Sequence, residues 1–119
     1  MPFIPTPGNC FQDCICIMEF NLVPGAMLCH GFPRLQRPDG DATAGTLYAH
    51  AWLEVFMHRG VLCYDHLHLD TPIFQAVFYD IGQIDGEYVK RYTLAEAREA
   101  MWEHQHYGPW HPGPGEKET

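Results

Sequence analysis

The sequence predicts an α+β domain with an antiparallel sheet and helices packed on one face. A helix is signalled near each end. Between them lie apolar runs, one of which turns back on itself as a hairpin. The chain is also too short for a second core: at 119 residues and 13.6 kDa one domain buries roughly two-thirds of the surface its unfolded chain exposes. That domain is expected to span residues 1–110, with 111–119 as a loose tail.

The elements follow in order. "PFIPTPG" combines three prolines with a glycine and reads as an extended arm. Asn9 is a favoured N-cap, Gln12 stands where a capping box needs it, and Phe11, Ile15, Met18 and Leu22 recur at helical spacing. "VPG" at 23–25 is expected to stop this first helix. "AMLCHGF" reads as a strand, and "PRLQRPDGDATAG" as a long polar loop. "LYAHAWLEVF" is a strand, followed by a turn at Arg59-Gly60 and the return strand "VLCYD". "IFQAVFYDIG" is ambiguous between helix and strand, and "YVKRY" reads as a short strand. "TLAEAREAMWEHQHYG" is the clearest helix: Thr93 is the N-cap, Glu96 completes a capping box and Gly108-Pro109 is the expected stop. Trp110 is expected to fold back onto the domain.

Composition narrows the function. Seven Lys and Arg against fifteen Asp and Glu give a formal charge of −8, which repels phosphate backbones. Arg34 with Arg37 and Lys90 with Arg91 are the basic neighbours, so nucleic-acid binding is not expected. No run approaches the ~18 apolar residues of a membrane helix, and the opening residues do not read as a secretory signal. A cytoplasmic protein with reduced thiols is therefore expected, its five cysteines being an odd number for a disulfide framework.

A thiol becomes a nucleophile at neutral pH with three kinds of help: a positive environment, a base in contact and a group that orients the base. One candidate stands for each. Cys10 falls in the first turn of the first helix, where unpaired N–H groups and the helix dipole favour a thiolate, and its own N–H points towards an oxyanion formed beside it. His50 interrupts an otherwise apolar strand, sharing a face with Tyr48, Trp52 and Glu54 while small alanines flank it. Asp65 ends the return strand, so the hairpin brings it alongside His50. Glu54 is then either solvated or on the rim of a cleft.

"HAWLEVFMHRGVLCYD" resembles the His-Ala-Trp, Glu-Val and terminal Asp pattern of transglutaminase-like domains in the papain-like cysteine protease superfamily. "GNCFQDC" is similar to their glycine-preceded nucleophile, and "LCHGF" to the strand that follows it. The C-terminal "RYTLAEA" and "HYGPW" resemble small bacterial and phage proteins of this type. The resemblance covers about Gly8 to Asp65. It implies a papain-like core in which an N-terminal helix carrying the cysteine packs on an antiparallel sheet, with Cys10 as nucleophile, His50 as general base and acid, and Asp65 as its orienter. No glutamine precedes Cys10 where papain-type proteases keep an oxyanion-hole side chain, so Asn9 and the Trp52 indole are the candidates for that role.

The expected activity is cysteine-dependent acyl transfer on a peptide or carboxamide, with hydrolysis favoured over amide transfer because so small a domain leaves little room for a second binding site. No cofactor or metal is expected, and the partner is a protein or peptide substrate of a monomer or weak homodimer. The rival is a catalytically silent module that keeps the fold as a binding or inhibitory surface. "HLHLD" at 66–70 resembles the His-x-His-x-Asp run of the metallo-β-lactamase fold, but Thr71 stands where that run continues with histidine. On a strand, His66, His68 and Asp70 would share one face.

Overall fold

The computed structural model describes residues 4–115. Its elements are α1 (Cys10–Glu19), β1 (Ala26–Gly31), β2 (His50–Met57), β3 (Gly60–Tyr64), β4 (Ile73–Phe74), α2 (Gln75–Gly82), β5 (Lys90–Tyr92) and α3 (Leu94–His104). The five strands form one antiparallel sheet in the order β4-β3-β2-β1-β5. The fold is thus α+β, with three helices and a five-stranded antiparallel sheet among the described residues. None of those helices is long and apolar enough to cross a membrane.

Helices cover both faces of the sheet, which corrects the expectation of one. Period-two alternation divides the strands. Leu28, Ala51 and Leu53 pack with Cys14, Ile15 and Ile17 of α1 and Ala97 of α3. Cys29, Trp52 and Cys63 meet Phe78 and Tyr79 of α2, with Ile84 and Val89 beside them. The second layer was hidden because the segment that makes it, "IFQAVFYDIG", is divided. Ile73 and Phe74 pair with Cys63 and Leu62 as the edge strand β4, and the chain then coils into α2.

Several boundaries move for local reasons. Helix α1 stops before Val23: Asn21 takes a left-handed conformation, and the Leu22 and Asn21 N–H groups donate to the Ile17 and Met18 carbonyls. This is a Schellman termination that makes Leu22 a closing residue, not a helical one. Helix α3 has the expected capping box at Thr93 and Glu96 but ends at left-handed Gln105, ahead of Gly108. Strand β2 begins at His50 and not at Leu47, because Leu47 bridges to Arg34 and the Tyr48 N–H donates to the Pro33 carbonyl. His50 therefore stands at the mouth of the sheet, not in the middle of a strand.

Part of the expected tail is packed on the domain. Trp110 packs on His30 and Tyr92, His111 bonds through Nε2 to the Tyr88 carbonyl, and a Cβ on the buried Gly113 would lie 2.9 Å from the Phe32 ring. Residues 111–114 are thus seated on the domain, and the last four expected tail residues, 116–119, lie outside the described ones. His30 sits within this aromatic enclosure, where burial pushes its pKa down to about 3 and keeps the ring neutral.

Candidate active site

The site is assembled from three elements around His50. Cys10 is the first residue of α1, His50 the first of β2, and Asp65 follows the last residue of β3. Pairing of Leu53 with Tyr64 continues so that Asp65 would oppose Trp52. Asp65 then shares a sheet face with His50 and lies diagonal to it, the geometry a two-residue turn at His58-Arg59 dictates. Its Oδ1 is 3.6 Å from His50 Nε2, an ion-pair distance slightly longer than a formed hydrogen bond. Cys10 stands near enough to act on the same imidazole.

Electrostatics at the ring oppose one another. Burial disfavours a charged His50, but the Asp65 carboxylate and Cys10 favour it more, and the net result is a pKa raised to about 9. Burial likewise pushes Asp65 up, while the His50 ring and the Leu67 N–H pull it further down, leaving it below the usual carboxylate range. Trp52 lies near-parallel to His50 with ring centroids 6.1 Å apart and limits how the imidazole can turn.

Trp52 reaches that position because of Gly31. A Cβ there would stand 2.4 Å from the edge of the indole and 3.3 Å from Val89, so any side chain opposite His50 would expel the ring that braces it.

The oxyanion and binding candidates are corrected. The Trp52 indole N–H donates to Glu54 Oε2 at 2.9 Å, and the Asn9 amide donates to Gln12 and Asp13. Both donors are already committed. Asn9 also makes no side-chain cap to α1, which leaves the first-turn backbone N–H groups, including that of Cys10, as the donors beside the thiol.

Glu54 is neither solvated nor on a rim. It is 0% exposed and accepts from Trp52, from Gln75 Nε2 at 3.0 Å, from the Tyr79 hydroxyl and from Arg91 Nε at 2.8 Å. Burial raises its pKa, the Tyr79, Trp52 and Arg91 contacts lower it, and the lowering prevails. This carboxylate ties β2 to α2 and to β5 across the intervening β1, a structural clasp one layer behind the catalytic candidates.

Sequence reasoning missed two further members. Asp13 is 3% exposed and accepts from the Thr6 N–H at 2.6 Å and from Asn9. His66, also 3% exposed, lies between the two carboxylates: Nδ1 is 3.7 Å from Asp65 and Nε2 3.8 Å from Asp13, with the Thr6 carbonyl at 3.3 Å. His66 lies beside the same Asp65 oxygen that faces His50, and through Thr6 it fastens the proline-rich arm. The available signal was Asp13, an acid three residues after Cys10 on a helix face that is otherwise core.

"HLHLD" forms successive turns, with the His68 N–H on the Asp65 carbonyl and the Thr71 N–H on the His68 carbonyl. His66 is buried while His68 and Asp70 are exposed, so the shared face that a strand would have given them does not exist. Among the described residues no group of three His, Cys, Asp or Glu side chains is arranged to hold a metal ion.

Comparison with known proteins returns no match. No family model, curated protein or solved structure matches this chain. The chemistry of the site therefore rests on its own residues.

The other four thiols differ from Cys10 in surroundings. Burial pushes up Cys14, Cys29 and Cys63, with nearby carboxylates adding to it: Asp65 and Asp13 at Cys14, Glu54 at the other two. Cys16 is raised more modestly, again first by burial.

Proposed function

We propose that the protein is a cysteine-dependent acyl-transfer enzyme of papain-like or transglutaminase-like design, cleaving a peptide or carboxamide bond through Cys10, His50 and Asp65. The observation that carries this reading is an imidazole paired with a carboxylate and close enough to the helix-N-terminal thiol for each to act on it. With Nε2 turned to Asp65, Nδ1 is the ring nitrogen that serves Cys10. The proton of Cys10 rests on His50 in the charged pair, and the Cys10 sulfur attacks the carbonyl as a thiolate. The oxyanion is met by first-turn N–H groups, and His50 then protonates the departing amine. Water, deprotonated by His50, attacks the thioester, and the acid leaves with Cys10 restored. A silent binding module has no use for an ion pair poised in this way, which is why the catalytic reading is preferred.

The test is competitive alkylation. At neutral pH and limiting iodoacetamide, with the five peptides quantified by mass spectrometry, Cys10 is expected to react at least tenfold faster than Cys14, Cys29 or Cys63. Equal, slow modification of all five overturns the proposal.

Protonation of His50 gives a second expectation. Its folded pKa of about 9 lies above the ordinary value of 6.5. The charged ring therefore contributes stability that is fully present below pH 6.5 and lost as pH rises through 9. Titration followed by NMR of the His50 ring should show its midpoint near 9. Asp65→Asn, which removes the foremost raising influence, should move the midpoint down. A midpoint that does not move in the variant would show that Asp65 does not govern the ring.

A further inference from the structure

A cavity of about 210 Å³ opens beside His50 and Asp65, and Cys10 does not line it. We propose that this cavity is the amine-side subsite of the reaction, selecting a leaving or acceptor amine that bears one apolar side chain of leucine or phenylalanine size. The inference rests on the Cys10 reading above and adds to it which part of the substrate is recognised and by what.

The location follows from proton traffic. The acyl group is tethered to the Cys10 sulfur, whereas the amine must stand where His50 gives or takes its proton. A cavity walled by His50 and Asp65, and not by Cys10, is therefore on the amine's side of the scissile bond. Its chemistry follows from its lining. Pro33, Phe78, Ile81 and Ile84 make most of the wall, and His50 and Asp65 are its only charged or chargeable groups besides the Tyr48 phenol. A carboxylate side chain would lose its water there and would face Asp65, with which the one cationic group of the wall, His50, is already paired. The volume is below that of pockets that hold a whole drug-sized ligand, and suits a single side chain.

The wall is fastened in place. The Arg34 N–H donates to the Gly82 carbonyl at 2.9 Å, and Gln36 Nε2 donates to the Ile81 carbonyl at 2.7 Å. Carbonyls left open at the C-terminus of α2 are thereby satisfied by the 33–36 loop, which pins the two sides of the cavity together. Gly82 sets its depth: a Cβ there would stand 3.1 Å from the Ile84 side chain and 3.4 Å from Pro33, so a larger residue at 82 occupies the space a substrate side chain would use.

The experiment uses the full chain and p-nitrophenyl acetate, which acetylates an activated thiol without needing a specific substrate. Burst release of p-nitrophenol, absent in Cys10→Ser, reports the acetyl-thioester. Added amines then compete with water for it. The amine nitrogen attacks the thioester carbonyl, the C–N bond forms, the C–S bond breaks, and the amine proton passes to His50 as the thiolate leaves. Leucinamide, glycinamide and isoglutamine are compared at equal concentration, with the N-acetyl products quantified by mass spectrometry. N-acetyl-leucinamide is expected to form about tenfold faster than either other product, and this ratio should fall towards one in Gly82→Val, with Gly82→Ala between. A burst followed by equal acetylation of the three amines, or a ratio unchanged in Gly82→Val, overturns the subsite and leaves the Cys10 reading standing. Absence of a burst overturns both.

Discussion

Replacing His50 with alanine is expected to slow alkylation of Cys10 by on the order of a hundredfold at neutral pH, the lower end of what a positioned general base supplies. The reason is local. Cys10 lies at the start of α1 with Asp13 one turn along, and Asp65 stands near enough to act on Cys14, the next thiol of that helix. Without the imidazole, the sulfur lacks the group that takes up its proton and keeps a positive charge beside it. The comparison is made on folded protein, verified by circular dichroism, with the rate at Cys16 as an internal reference, since Cys16 does not depend on His50. A His50→Ala protein whose Cys10 reacts as fast as before would mean that the imidazole does not activate the thiol, and the acyl-transfer proposal would fail with it.

The second large effect concerns stability. Arg91→Leu is expected to lower the unfolding free energy by about 3 kcal/mol, read from urea denaturation at pH 7, because it strips the cation from a carboxylate withdrawn from water. Glu54 is 0% exposed while the Arg91 side chain keeps 32% exposure. The two sides of the pair are therefore unequal: Arg91 left alone can rehydrate, whereas Glu54 left alone cannot. Removing the arginine is the harsher half of the cycle. A loss under about 1 kcal/mol would place this contact with ordinary surface ion pairs and refute the clasp. The pH dependence has a defined sign. Glu54 is held below its ordinary value of 4.5, so its contribution is present above pH 4.5 and lost as pH falls through the folded pKa.

The two effects share a strand. His50, Trp52 and Glu54 alternate along β2 on one face. The indole lies near-parallel to the imidazole and spends its N–H on the carboxylate. The clasp behind the site thus sets the position of the ring that backs His50. Loosening Glu54 is expected to reach the site through Trp52 as well as through global stability.

Much of this arrangement was legible in the sequence, because it depends on short-range rules. The capping box at Thr93 and Glu96, the hairpin between β2 and β3, the α+β order of elements, and the chain positions of Cys10, His50 and Asp65 follow from spacing and turn chemistry that act over a few residues. What sequence could not supply was direction and partnership at long range. An acidic residue in a strand reads as solvated until an arginine 37 positions away is found to reach it across β1. Asn9 and Trp52 read as free donors until the acceptors beside them are seen, and His66, His68 and Asp70 would share a face on a strand until the chain is seen to turn there instead. Only the tertiary structure decided which polar groups are already satisfied, since desolvation is imposed by residues distant in the chain. The sequence alone determined which groups are capable of chemistry, since that is a property of the side chains themselves.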